Sequence, residues 1–488
     1  MSNTKLRIPT AARLAAMILA CVGSTAASAA TITVVNIDGA GEGFNDPTPV
    51  AALPSNPNTT LGAQRLHVFQ TAANRWGQLL VSGVEIKVNA AFNPLTCSGT
   101  SAVLGSAGAT TIHRDFTNAP VAGRWYGPAL ANTLAGSDLN GATAEINSQF
   151  NVDIDNGTCL TGTTGWYYTT SLTDPPPAGT IPLLPVVFHE LGHGLGFQTF
   201  TSGSTGAFQS SFPSVWDDFL TDAISGTSWA DMTTNAQRQA SAISDPNLVW
   251  TGENVTNDKV LFLGPSPTLQ VNSPAAIAGN YSAQPASFGT AVPPGGITGE
   301  VVAMLDTTDD GGSSTTDGCG TVTNPGALAG KIALIDRGLC NFTVKVKNAQ
   351  TAGAIAAVVA NNVASGLPGM GGADATVTIS SYGVSQALGT SIRGQLAMPV
   401  VVNATLGYDM ANLSGTNGNF VRMFAPNPFQ SGSSVSHFTT DATPNLLMEP
   451  SLNTSIFDEV DLTTSLFKDI GWVVVEESAD TIFRNGFE

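Results

Sequence analysis

The sequence predicts an α+β protein whose sheet-and-helix core is split by a separate α/β module. Four observations predict this. The chain has 488 residues, more than one ordinary core holds, so two or three domains are expected. Hydrophobic residues make up 42% and charged residues 11%, which is a globular balance. Glycine (52) and proline (28) are plentiful while lysine plus arginine number 18, favouring a loop-rich, β-containing chain over a helical bundle. The fourth observation is a shift, over about 265–405, to short strand-like apolar runs separated by helical and glycine-rich stretches.

Taken in order, residues 1–29 read as a secretory signal peptide. Lys5, Arg7 and Arg13 give a basic start, Leu14 to Val22 an apolar run too short to stay in a membrane, and Ala27-Ser28-Ala29 a small-residue cleavage site. Without that segment 15 basic residues face 36 acidic ones, a net charge of −21. Such a surface repels nucleic acid and anionic lipid, so neither is expected as a partner, and no later apolar run is long enough for a membrane anchor. Four cysteines remain after Cys21 leaves: Cys97, Cys159, Cys319 and Cys340. An even count in an exported chain suggests two disulfides. Of three possible pairings, Cys97–Cys159 and Cys319–Cys340 keep each bond inside one proposed domain, worth about 3–4 kcal/mol each on chain-entropy grounds.

Thr31 to Ile37 is a β-branched run and reads as a strand. Leu61 to Leu80 has helical spacing, with Leu66, Phe69, Ala73, Trp76 and Leu80 on one face. Val84 to Val88 is the next strand, and Ala142 to Phe150 an edge strand. Pro182 and Pro185 stand where a helix from about Leu184 to Gly196 begins, a place proline tolerates. Val215 to Ile224 and Asn235 to Ser244 are predicted helices. Within 265–405, Gly296–Leu305, Lys331–Asp336, Ala354–Val359 and Met398–Val402 are strand-like and Lys345–Ala352 helical. A last helix is expected over Thr454–Asp469. The domain plan is 30–264, an insert at 265–405, a return at 406–472 and a tail at 473–488.

Residues 186–197 read VVFHELGHGLGF. His189 and His193, four apart, stand on one helix face about 5–6 Å apart at Cβ, close enough to bind one tetrahedral Zn2+. Glu190 is placed to take a proton from water on the metal, whose pKa zinc lowers to about 7, and to pass it to a leaving amine. The pattern is informative because the chain has only five histidines. The other two outside this reading, His67 and His113, are expected to be structural and a loop residue.

His189-Glu190-x-x-His193-x-x-Gly196 resembles the start of the metzincin signature, in which a third histidine follows the glycine by three. Here that place holds Thr199, a poor ligand. The leishmanolysin branch carries its third histidine far downstream, ahead of a methionine turn, and SHFTTDATPNLLMEP (436–450) is similar to that arrangement, with His437 as ligand and Met448 as the methionine. Asp469 to Trp472 resembles that family's closing segment. The resemblance implies a secreted zinc endopeptidase acting on proteins or peptides, with His189, His193 and His437 on zinc and Glu190 as general base. Two other readings stand beside it: a non-catalytic adhesion or binding protein with structural zinc, and a zincin whose third ligand is Asp217, Asp218 or Glu253.

The segment KIALIDRGLCNFTVKVKNAQTAGAI (331–355) resembles a protease-associated, or PA, domain, and Met398-Pro399-Val400-Val401 is similar to its later strand. Such a module carries no catalytic residue. It accounts for the 243 residues between His193 and His437, because a body whose ends lie together can sit in a loop of its host. The closing ADTIFRNGFE resembles a C-terminal tail of exported proteins from some Gram-negative bacteria.

Overall fold

The computed structural model describes residues 28–171, 173–308, 314–364, 366–398, 400–451 and 460–475. The leader residues Lys5, Arg7, Arg13 and Cys21, Pro399, the start of the last predicted helix and residues 476–488 of the terminal tail lie outside them.

A four-stranded sheet opens the chain. It runs in the order β1 (Ile32–Asn36), β2 (Ile86–Asn93), β4 (Ile146–Asn151), β3 (Gly105–Ala109), parallel except for the antiparallel pair of β3 with β4. Alternate residues Ile86, Val88 and Ala90 of β2, and Ile146, Ser148 and Phe150 of β4, are buried on the face that two helices cover. The predicted edge strand is therefore internal, and the true edge is β3. Its sequence GSAGA has no β-branched residue, so nothing local announced it; pairing with β4 makes it a strand.

Helix α1 (Leu61–Leu79) packs Val68, Phe69, Ala72, Ala73 and Trp76 inward, all at 0% exposure. Leu66, expected on that face, is 37% exposed. The buried place is taken by the preceding residue, Arg65, which donates to the Gly43 carbonyl and reaches Asp155 at 2.7 Å. An arginine can be buried when its donors are met in this way. Helix α2 (Pro128–Ala135) and helix α3 (Leu183–Leu195) complete this half. Trp76 Nε1 donates to the Phe188 carbonyl at 3.0 Å and its ring stacks on Phe188, fixing α1 to α3.

Val215 to Ile224 is not a helix. A short 3-10 turn, Val215–Asp218, leads into strand Leu220–Asp222, which pairs with Leu248–Trp250. Ser214 and Asp217 form a capping box that starts the single 3-10 turn, and Asp222 accepts from the N–H groups of Ile224 and Ser225 to stop the strand. Leu248–Trp250 pairs on its other side with Phe420–Arg422, so residues before and after the insert share one small sheet.

Between them an eight-stranded mixed sheet spans residues 265–413. Its centre is four strands, Ile297–Ala303, Ile332–Asp336, Ala356–Ala360 and Ser380–Val384, parallel in that order. The strands over 332–335 and 356–360 are buried throughout, as expected of a parallel sheet covered on both faces. Helices Phe342–Thr351 and Gln386–Leu396 lie among its coverings. The run predicted at Met398–Val402 enters the sheet only at its last residue: the strand is Val402–Leu413, and Val401 is exposed. Both predicted disulfides are present, Cys97–Cys159 and Cys319–Cys340, with Cα separations of 5.5 and 5.6 Å. Among the described residues no helix is long and apolar enough to cross a membrane.

Candidate metal centre

Helix α3 starts behind Pro182, with Pro185 in its first turn, and stops at Gly196, whose φ of +133° few other residues adopt. Two glycines inside it serve close approach. A Cβ on Gly194 would stand 2.4 Å from Ile146 Cγ2 of β4, and one on Gly192 would stand 2.8 Å from Met448 Sδ. The helix thus lies directly on the sheet on one side and on the 446–449 turn on the other.

His189 and His193 project from adjacent turns of α3, and His437 comes to meet them. The three Nε2 atoms lie 3.2 Å (189–193), 3.1 Å (193–437) and 3.3 Å (189–437) apart. Each ring has its Nδ1 against a backbone carbonyl: His189 to Leu447 at 2.7 Å, His193 to Phe197 at 2.8 Å and His437 to Ser433 at 2.7 Å. A carbonyl only accepts, so every Nδ1 carries the proton. Burial holds all three imidazoles below their ordinary pKa, for His193 and His437 with help from neighbouring histidines, so the rings are neutral. Every Nε2 is then a bare acceptor facing two others. That arrangement is repulsive without a cation at its centre, and with one it suits zinc. For Zn–N bonds of 2.0–2.1 Å a tetrahedron has an edge of roughly 3.3–3.4 Å. The carbonyl bonds also fix tautomer and ring orientation, as they do for metal-binding histidines generally.

Glu190 is 9% exposed and accepts the Ala107 backbone N–H from β3; burial pushes its carboxyl up to about 8. Gly105 of the same strand lets β3 lie here, since a Cβ would stand 3.0 Å from Phe150 and 3.1 Å from Glu190 Cγ. Met448, fully buried, sits beneath the histidines, and its carbonyl accepts the Phe438 N–H at 2.9 Å. The 446–449 turn is thereby tied to His189 through Leu447 and to the His437 segment through Phe438.

The remaining candidates lie elsewhere. Thr199 Oγ1 donates to Asp217 at 2.8 Å, and Asp217 also accepts from Thr201 and Ser214. Asp218 pairs with Arg124 at 2.8 Å, and Glu253 is exposed at the start of a helix. Among the described residues none of these three carboxylates joins the histidine cluster. His113 pairs with Thr111 and His67 lies on α1, both outside it. The cleft over the histidines has a volume of about 650 Å³ and is bordered by residues 102–107 and 446–451. It also holds a carboxylate that the sequence reading missed, Glu449, whose only signal was its place next to Met448.

Residues 297–392 match the family model of the PA domain. The inserted segment contains a PA domain. The chain is also similar to an ER degradation-enhancing alpha-mannosidase-like protein of Homo sapiens, 53% identical over 47 residues, which are 10% of this chain and 5% of that protein. With vacuolar-sorting receptor 1 of Pisum sativum it shares 31% identity over 158 residues, 31% of this chain and 24% of the receptor. The chain thus spans a quarter or less of these relatives. Among solved structures, a zinc aminopeptidase from Bacillus subtilis aligns at 20% identity over 40% of this chain and 41% of that one, with a TM-score of 0.22.

Proposed function

We propose that this protein is an exported zinc endopeptidase of the metzincin type, resembling the leishmanolysin branch. The observation that carries the reading is the meeting of three proton-free Nε2 atoms beside a buried Glu190. His189, His193 and His437 would hold the metal. Zinc held there supplies Lewis acidity and lowers the pKa of water to near neutrality. Glu190, set against the Ala107 N–H, would in its ionised form take a proton from the attacking water and give it to the leaving nitrogen. Met448 and Gly192 keep the turn and helix in contact so that the rings hold their places.

Two features favour hydrolysis over a purely structural site. Structural zinc is enclosed by four protein ligands, whereas three histidines facing a cleft leave a position open. The cleft runs along β3, an edge strand whose free backbone groups suit an extended peptide lying alongside, and so favour cutting within a chain. Two disulfides fit an oxidising compartment. Metal analysis of the purified protein together with casein digestion tests the proposal. One zinc per chain and digestion stopped by a chelator are expected; a metal-free protein, or a zinc protein that digests nothing, would overturn it.

A further inference from the structure

Resting on that reading, we infer that Glu449 selects substrates carrying a lysine or arginine side chain at one fixed position near the scissile bond. Glu449 borders the same cleft as His189, Glu190 and His437. It is 4% exposed, and among the described residues its one hydrogen bond comes from the Leu446 N–H, to Oε1 at 2.8 Å. Among the same residues Oε2 has no hydrogen-bond donor. Among the described residues no lysine or arginine borders the cleft and none forms an ion pair with Glu449. The nearest charges make matters worse for it. Asp461 and Asp441 both disfavour its ionised form, and burial and those two acids together push its carboxyl up to about 8.

A carboxyl largely removed from water and beside other acids is stabilised by a cation. The described residues do not supply one, and the cleft is where a ligand arrives. An ammonium or guanidinium entering there would gain a charge-assisted hydrogen bond and would favour the ionised form of Glu449; an acidic side chain would be repelled. The competing role is structural, since Oε1 also closes the 446–449 turn. Glutamine distinguishes the two, because its carbonyl can still accept the Leu446 N–H while the charge is gone.

The experiment compares three peptides, identical except for lysine, norleucine or glutamate at each position flanking the cut, with zinc-loaded wild-type and Glu449→Gln protein. The kcat/KM ratio of lysine to norleucine peptide at one position should be at least roughly tenfold in the wild type and approach one in the variant. Glu449→Lys should turn the preference toward the glutamate peptide. A binding readout accompanies these: in the Glu190→Ala background, calorimetry should give a Kd for the lysine peptide about tenfold below that for norleucine, lost on adding Glu449→Gln. If the wild type cuts without preference for basic residues, or if Glu449→Gln lowers all three peptides equally, the specificity role is overturned while the peptidase reading stands. If a variant does not fold, the cleavage sites of the wild type in a denatured protein mixture decide, and a profile without basic residues at any one position sinks the inference. If zinc-loaded wild type cuts nothing, the peptidase reading falls and this inference with it.

Discussion

His437 stands 243 residues beyond His193, yet their Nε2 atoms lie 3.1 Å apart. Neither His67 nor His113 offers a nitrogen to that point. His437→Ala should therefore abolish stoichiometric zinc and activity, while His67→Ala and His113→Ala keep both, as read by metal analysis of each purified protein. Zinc retained at full stoichiometry in His437→Ala would refute the ligand set. Glu190 is proposed as a proton carrier and not as a ligand, so its variant is expected to behave differently. Glu190→Ala should keep zinc and lose activity by about 10²–10⁴-fold, and equal turnover by mutant and parent would remove it from the mechanism. These residues were legible because histidine is rare here and two of the five fall at helical spacing. Glu449 was not legible. It is one of 36 acidic residues, and only burial without a cation sets it apart.

Two helices were readable almost to their ends: α1 because an amphipathic pattern over several turns leaves little choice, and α3 because Pro182 and Pro185 mark its start and Gly196 its end. Elements made by their neighbours were not. Strand β3 is a strand because β4 offers it a partner, and Val215 to Asp222 divides into a turn and a strand because Leu248–Trp250 is there to pair with it. The glycines of α3 show the same dependence. In isolation Gly194→Ala would favour the helix by about 1 kcal/mol. Here the added Cβ would meet three Ile146 atoms, at 2.4, 2.8 and 3.0 Å, on a strand held on both sides. Overpacking of this kind costs about 1–3 kcal/mol, so the clash should win or at best cancel the gain. Denaturant unfolding of zinc-loaded Gly194→Ala is expected to show lower stability than the parent; higher stability would mean that α3 can move off the sheet.

At the scale of the molecule, the host core and the insert bury their apolar residues apart. Their buried apolar residues fall into different clusters, one from residues 30–263 and 421–472 and two from 269–406. The ends meet: Pro265 is opposite Leu413 in the antiparallel pair, and the Ser414 N–H donates to the Gly264 carbonyl at 2.8 Å. A folded body whose ends touch imposes little closure entropy on its host, so His437 can reach the site across so long an interval. The strand over 402–413 runs through the expected boundary at 405, however. Cutting there would leave half a strand as an unpaired edge. Excision of 265–412, with a short glycine linker from Gly264 to Leu413, avoids this and keeps Leu413, which packs on the host core. The pairing of Leu248–Trp250 with Phe420–Arg422 stays intact on the host side of the cut. The shortened protein should fold, hold one zinc per chain and cut short peptides, with altered use of protein substrates. Metal analysis and a cooperative unfolding transition check the first two points and a peptide assay the third. A soluble, cooperatively folded product without zinc would show that the PA-containing insert is needed to bring His437 to the other two histidines, and would refute the view of the metal site as a property of the host alone.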